Sequence, residues 1–247
     1  SSEGNLIWAY KAGDSDVKIT GITENEPMTF SLTGYFKSSF DVALDSTVSN
    51  LESDIPTHFD VFIASYDSLC GLNWAFSIPT RMPGVNPSFI TSCSDSSLVL
   101  AGHYNDTTDF DPDTGNFILT NTTTSNLFLA KYSSQGDFRW VGEIQTNGSG
   151  LGHKAIESHN DFVYVAGGFH TNATSIDFDP GIDTVFLSFS GTNSWVIKVD
   201  SAGNLEWVRN YKGNYTNGYD AITDIVVDSV GNCYTSGKGS NTVDFAH

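Results

Sequence analysis

Residues 127–140 read LFLAKYSSQGDFRW, and the same pattern recurs as VFIASYDSLCGLNW at 61–74 and WVIKVDSAGNLEW at 195–207. Each copy opens on aliphatic, β-branched and aromatic residues. Each then passes through Asp, Ser, Gly or Asn and ends on a second short run closed by Trp. Residues of the first kind fit a pleated surface, and those of the second kind favour tight turns, so each copy predicts two strands around a turn. A shorter copy, GNLIW, closes at Trp8. The four tryptophans that close a copy therefore fall at 8, 74, 140 and 207, spaced 66, 66 and 67 residues apart.

Two further phrases keep this register. FSLTG, LVLAG, VYVAG and CYTSG end at Gly34, Gly102, Gly167 and Gly237, which lie 26, 28, 27 and 30 residues after their Trp. A third phrase follows: SFD around Phe40, DFD around Phe110, DFD around Phe178 and DFA around Phe245. Segments such as AIESHNDFVYVAGG and ITDIVVDSVGNCYTSG are two short runs split by Asn-Asp or Val-Gly-Asn, which is a hairpin signal. The short runs NFILTN and TVFLSFS after the third phrase read as an extra hairpin. No segment carries a capped helical stripe.

Four antiparallel strands recurring at a fixed period predict an all-β fold, a β-propeller of about four blades with an extra hairpin. A single four-stranded blade is too small to stand alone and must pack on its neighbours, with the Trp as the wedge between them. The repeat glycines predict a turn or a close backbone approach. A β-helix would have a far shorter period, and a sandwich would not repeat the same three phrases. The reading is one domain over 1–247, with repeats at 9–74, 75–140 and 141–207. The fourth repeat, 208–247, is incomplete, and residues 1–8 are a candidate strand for closing the ring.

Composition narrows the class of function. Eleven Lys and Arg against 29 Asp and Glu give a net charge of −18. That argues against nucleic acid and anionic membrane surfaces, which need basic clusters. No apolar run approaches the roughly 20 residues of a membrane span, and no charged-then-apolar leader opens the chain. The three cysteines, Cys70, Cys93 and Cys233, show no CxxC spacing, and Cys93 and Cys233 are expected as small hydrophobes in strands. Asn105, Asn121, Asn147, Asn172 and Asn214 begin Asn-x-Ser/Thr sites and are candidate glycosylation positions, although abundant Ser and Thr generate such sites by chance.

The blade order, a Gly-ended strand followed by V-x-K-V/Y-D-x-x-G-x-x-x-W, is similar to that of kelch propellers. The phrases DFDPG, AKY and GNLxW more closely resemble the secreted bacterial β-propeller repeats called SBBP. The likeness covers essentially the whole chain and is best over 98–207. It is weakest over 40–60, where FDVALDSTVSN replaces the DFDP turn. The resemblance implies an extracellular or cell-surface propeller and does not imply an enzymatic activity.

The strongest candidates for chemistry are the aspartates of the third phrase. Asp109 and Asp111, and again Asp177 and Asp179, stand two apart, so a strand would point both carboxylates to one face, with Asp113 and Asp183 following. Clustered carboxylates and turn carbonyls suit Ca²⁺, which takes six to eight oxygens. The competing reading is an Asx turn without metal at Asp111-Pro112 and Asp179-Pro180. In this alignment the first repeat has Ser39 and the fourth Ala246, so two repeats keep the pair.

Tyr104, Tyr211, Tyr215 and Tyr219 are read as exposed rings able to stack on a glycan, the last three in the polar loop NYKGNYTNGYD. Phe40, Phe110, Phe178 and Phe245 are expected in the core. His103 and His170 each follow a repeat glycine and are candidates for one shared loop face; the other histidines, His58, His153, His159 and His247, are scattered.

Enzyme chemistry finds no positive signal. GSGLG at 148–152 opens no helix, no Gly-x-Ser-x-Gly elbow exists, and no carboxylate pair is singled out for glycoside hydrolysis. DSAGNLEW resembles an Asp-box hairpin in shape only, being one residue too long. The expectation is a non-enzymatic extracellular scaffold, structural or adhesive. Its candidate partners are copies of itself, joined head-to-tail through an open blade edge. A glycan- or calcium-binding module is the alternative, and a polysaccharide-acting enzyme the weakest reading.

Overall fold

The structure, a computed structural model, describes residues 9, 16–84, 88–121, 125–145, 151–171, 175–188, 191–213, 221–239 and 243–244. Their regular structure is entirely β. The first sheet comprises β1 (Val17–Glu26), β2 (Thr29–Phe36), β5 (Phe59–Asp67) and β6 (Leu72–Met82), all antiparallel. A side hairpin, β3 (Ser39–Asp41) with β4 (Asn50–Glu52), leaves it between the second and third strands.

The same plan recurs. β7 (Phe89–Ser92), β8 (Leu98–Tyr104), β11 (Asn126–Tyr132) and β12 (Phe138–Ile144) form the second sheet, with β9 (Thr107–Asp109) and β10 (Ile118–Thr120) as its side hairpin. β13 (Leu151–His159), β14 (Phe162–Thr171), β17 (Gly191–Asp200) and β18 (Leu205–Gly213) form the third, with β15 (Ser175–Asp177) and β16 (Phe186–Ser188) beside it. β19 (Ala221–Val227) and β20 (Cys233–Lys238) make a final hairpin, and β21 (Val243–Asp244) pairs with the outer edge of β18.

The repeat glycines serve close approach. β1, β13 and β19 each carry a bulge opposite Gly34, Gly167 and Gly237. A Cβ at Gly34 would stand 2.0 Å from the Lys18 carbonyl oxygen, and one at Gly167 2.0 Å from that of Gly152. At Gly102 the obstacle is the Phe128 ring, 2.6 Å away. At Gly34 and Gly167 the backbone of the first strand therefore fills the space where a side chain would sit.

The core lies between successive sheets. Val61, Ile63 and Ile78 of the first sheet pack with Leu98, Leu100 and Phe128 of the second. On the other face of the second sheet, Val99, Leu127 and Leu129 meet Val165, Trp195 and Ile197 of the third. Both faces of an inner strand are thus apolar, as in LVLAGHY of β8, which is buried at every position.

The tryptophans lock each sheet to the next. Trp74 Nε1 donates to Ser134 O at 2.9 Å, and Trp140 Nε1 donates to Ser201 O at 3.0 Å. Each ring lies against a turn glycine with left-handed backbone, Gly136 (φ 91°) under Trp74 and Gly203 (φ 89°) under Trp140. A side chain there would meet the ring and strain the backbone. Side hairpins add to the junction: Asn105 N donates to Thr80 O at 2.9 Å and Thr108 Oγ1 to Pro79 O at 3.0 Å, tying the second repeat to β6.

Candidate functional site

The aspartates of the third phrase close loops. Asp109 Oδ1 accepts the amides of Asp111 at 3.1 Å and Phe117 at 2.9 Å. Asp177 Oδ1 accepts those of Asp179 at 3.2 Å and Val185 at 2.8 Å. In the first repeat the residue doing this is Asp41, which accepts from Ala43 at 3.1 Å and Ser49 at 2.9 Å. The structural register of that repeat is therefore shifted by two from the sequence alignment. Asp41 matches Asp109 and Asp177, Val42 matches Phe110 and Phe178, and Ala43 takes the place of the second aspartate. Phe40 is still buried, but it corresponds to Thr108 and Ile176.

The second aspartate of each pair makes its own Asx turn. Asp111 Oδ1 accepts from Asp113 N at 3.0 Å, and Asp179 Oδ1 from Gly181 N at 2.8 Å. Asp113 and Asp183 are exposed on the loops. Among the described residues no group of three or more His, Cys, Asp or Glu side chains is placed to hold a metal ion.

Beneath these loops lies a link that the sequence did not suggest. Tyr66 OH donates to Val42 O at 2.7 Å and Tyr132 OH to Phe110 O at 2.9 Å, so a tyrosine from the third strand pins the loop base. Burial pushes both phenols above their ordinary range, and neighbouring aspartates add to the shift. In the third repeat Val199 stands in this position and no such bond exists.

The Asp-Ser-x-Gly-Asn turns are equally self-contained. Asp200 Oδ1 accepts the amides of Ala202 and Asn204, both at 2.9 Å, and Oδ2 accepts Asn204 Nδ2 at 2.9 Å. Asp228 repeats the arrangement with Val230 and Asn232 at 3.0 and 2.8 Å. Ser133 Oγ replaces the carboxylate in the second sheet. Cys70, with φ 67°, occupies the glycine position in the first.

Other sequence candidates fall differently. Tyr104 is buried rather than exposed: its ring packs on Phe110 and Phe128, and its hydroxyl donates to Glu143 Oε2. Asn126 Nδ2 reaches the same oxygen at 3.0 Å. Tyr211 is half-buried against the last hairpin, while Tyr215 and Tyr219 lie outside the described residues. His103 is buried with its ring 4.9 Å from that of His153, a neighbour the sequence did not indicate. The side chain of His170 is outside the described residues.

Among the sequons, Asn105 is half-buried and Asn121 is buried with Nδ2 directed at Tyr104 O, 3.5 Å away. A glycan on Asn121 would have to bring that amide out to solvent. Asn147, Asn172 and Asn214 lie outside the described residues, as do Trp8, Phe245, Ala246, His247 and Gly148–Gly150. The three cysteines are free thiols; Cys70 is the buried one, and Cys93 sits in the turn after β7 rather than in a strand.

Two recesses carry mixed chemistry. Strands β1, β7, β13 and β19 line one cavity of about 550 Å³, where Ile19 and Ile22 from β1 face Lys154 from β13 and Asp224 from β19. A groove of about 320 Å³ opens on the rim between the second and third sheets. There Lys131 Nζ lies 3.2 Å from Asp95 Oδ2 and 3.3 Å from Ser201 O. Burial works against the Asp95 carboxylate, but hydrogen bonds from Ser97 and the Lys131 ammonium outweigh it and hold its pKa below the usual range. Neither recess is visible in one dimension, because each is assembled from residues about one repeat apart.

No protein-family model matches the chain, and no curated protein matches it.

Proposed function

We propose that the chain is a four-repeat β-propeller of the SBBP type acting as a non-enzymatic extracellular scaffold that associates with copies of itself. The observation that carries this reading is the junction. An identical indole-to-turn lock joins the first sheet to the second and the second to the third. The repeat aspartates Asp109 and Asp200 are engaged in closing loops and turns. A radial arrangement is supported by the cavity that the four first strands share. Such a molecule gains stability from nearest-neighbour contacts and presents its loops on a rigid frame.

Light scattering over a wide concentration range, with electron microscopy of the same samples, tests the self-association. Concentration-dependent growth into ordered particles is the expected result. A monodisperse monomer throughout would overturn it, and turnover on a polysaccharide panel would overturn the non-enzymatic reading.

A further inference from the structure

We propose that the groove between the second and third sheets binds a carbohydrate bearing carboxylate groups. The groove collects Asp95, Lys131, Gln135, Arg139 and Trp140 with the turn at Ser201 in about 320 Å³. That volume lies at the small end of ligand sites, roughly 300–1,000 Å³, in which a few convergent polar groups fix orientation.

The matching junction shows that this lining is not needed for the fold. Between the first and second sheets Trp74 makes the same bond to Ser134 O, at 2.9 Å. Yet Ser65 stands opposite Trp74 where Lys131 stands opposite Trp140. Asn73 occupies the strand irregularity that Arg139 occupies, and Glu206 occupies it in the third sheet. The scaffold position is constant and its chemistry changes from repeat to repeat. A bulge turns its side chain out of the strand alternation, which suits a residue serving a ligand.

Lys131 is also costly where it is. The Lys131 side chain is 6% exposed, and burying an ammonium is unfavourable unless it is paired. Asp95 and Ser201 O take two of its three donors. The Arg139 side chain is 57% exposed, and its nearest carboxylate is Asp137 at 4.0 Å, so the guanidinium fork is open to a ligand. A fork of this shape matches a carboxylate through two parallel hydrogen bonds. Gln135, exposed at the turn, offers an amide that suits the alcohols of a sugar. Asp95 offsets the Lys131 charge, so in a chain of net charge −18 the exposed Arg139 is the cation that selects locally for an anion. This site stands apart from the scaffold reading, since a monomer that never assembles can still bind.

Tetragalacturonate titrated into the full chain, followed by calorimetry and by tryptophan fluorescence, tests the proposal. Saturable binding is expected. Arg139→Ala and Gln135→Ala, both at exposed positions, are expected to weaken it about tenfold each at unchanged melting temperature. Cellotetraose, which lacks carboxylates, is expected to bind at least about tenfold more weakly. The proposal is overturned by an absence of saturable binding, by binding that Arg139→Ala leaves intact, or by equal affinity for cellotetraose. Displacement by inorganic sulfate at comparable affinity would overturn the carbohydrate assignment in favour of a bare anion site.

Discussion

The indole Nε1 of Trp140 donates to the carbonyl oxygen of Ser201 at 3.0 Å, across the boundary between two sheets and 61 residues along the chain. Trp140→Phe keeps most of the ring and removes the donor, so a loss of about 1 kcal/mol is expected. Gly203→Ala attacks the same lock from the other side. Its Cβ would meet the indole at 3.2 Å and would force a side chain to φ 89°. About 2 kcal/mol should be lost. Urea denaturation of the two variants checks both, and a Gly203→Ala variant as stable as the parent would contradict the packing described.

Gly167 has no such tolerance. A methyl group there would sit 2.0 Å from a backbone oxygen, which cannot move aside as a side chain can. Gly167→Ala is expected to cost about 3 kcal/mol or more, or to prevent folding. Gly181→Ala, on an exposed loop, serves as the mild comparison. Thermal melts of both proteins decide the matter.

Asp109 holds its loop through one oxygen shared by two amides. Asp109→Ala should cost about 2 kcal/mol and raise hydrogen exchange at the Phe117 amide. Asp109→Asn retains a carbonyl acceptor and should lose much less. If the alanine variant exchanged at the parental rate, the loop would be closed by something else.

Met28 turns the β1–β2 hairpin with φ 70° at the position after Pro27, and the residue is 70% exposed. That is the third position of a Pro-containing turn that favours glycine. Met28→Gly should therefore stabilise the protein by up to about 1 kcal/mol, read as a higher denaturation midpoint.

Asp200 governs part of the acid response. Burial opposes its ionisation, but hydrogen bonds from the Asn204 side chain and the amides of Asn204, Ala202 and Gly203 prevail and hold its pKa below the ordinary range. The folded state then binds this proton less tightly than the unfolded chain. The contribution is present at neutral pH and disappears as pH falls through the depressed value. Asp200→Asn should narrow the gap in melting temperature between about pH 6 and about pH 3.

The Trp and Gly phrases revealed the repeat because their roles depend on residue type. Only a large ring with a donor makes the lock, and only glycine admits the neighbouring strand. The register of the first repeat was harder to read. Phe40 is aromatic and followed by Asp, yet the loop is defined by the carboxylate that caps it, and Val42 is the apolar residue matching Phe110. Tyr104 lies two residues beyond Gly102, and β8 continues through it, so its ring enters the core instead of a loop. The His103–His153 contact and the Lys131–Asp95 pair depend on how sheets stack, which periodicity along a strand does not encode.

The carboxylate clasp at each loop base separates what must stay from what is free to change. Asp109 fastens both ends of its loop and Tyr132 its floor, so Pro112–Asn116 between them holds only the local Asx turn of Asp111. A foreign epitope or a metal-chelating peptide spliced between those clasps would inherit a rigid pedestal. Three carboxylate-clasped mounts, at Asp41, Asp109 and Asp177, stand at the same station of successive repeats, the first two with a tyrosine floor, and would display three inserts side by side.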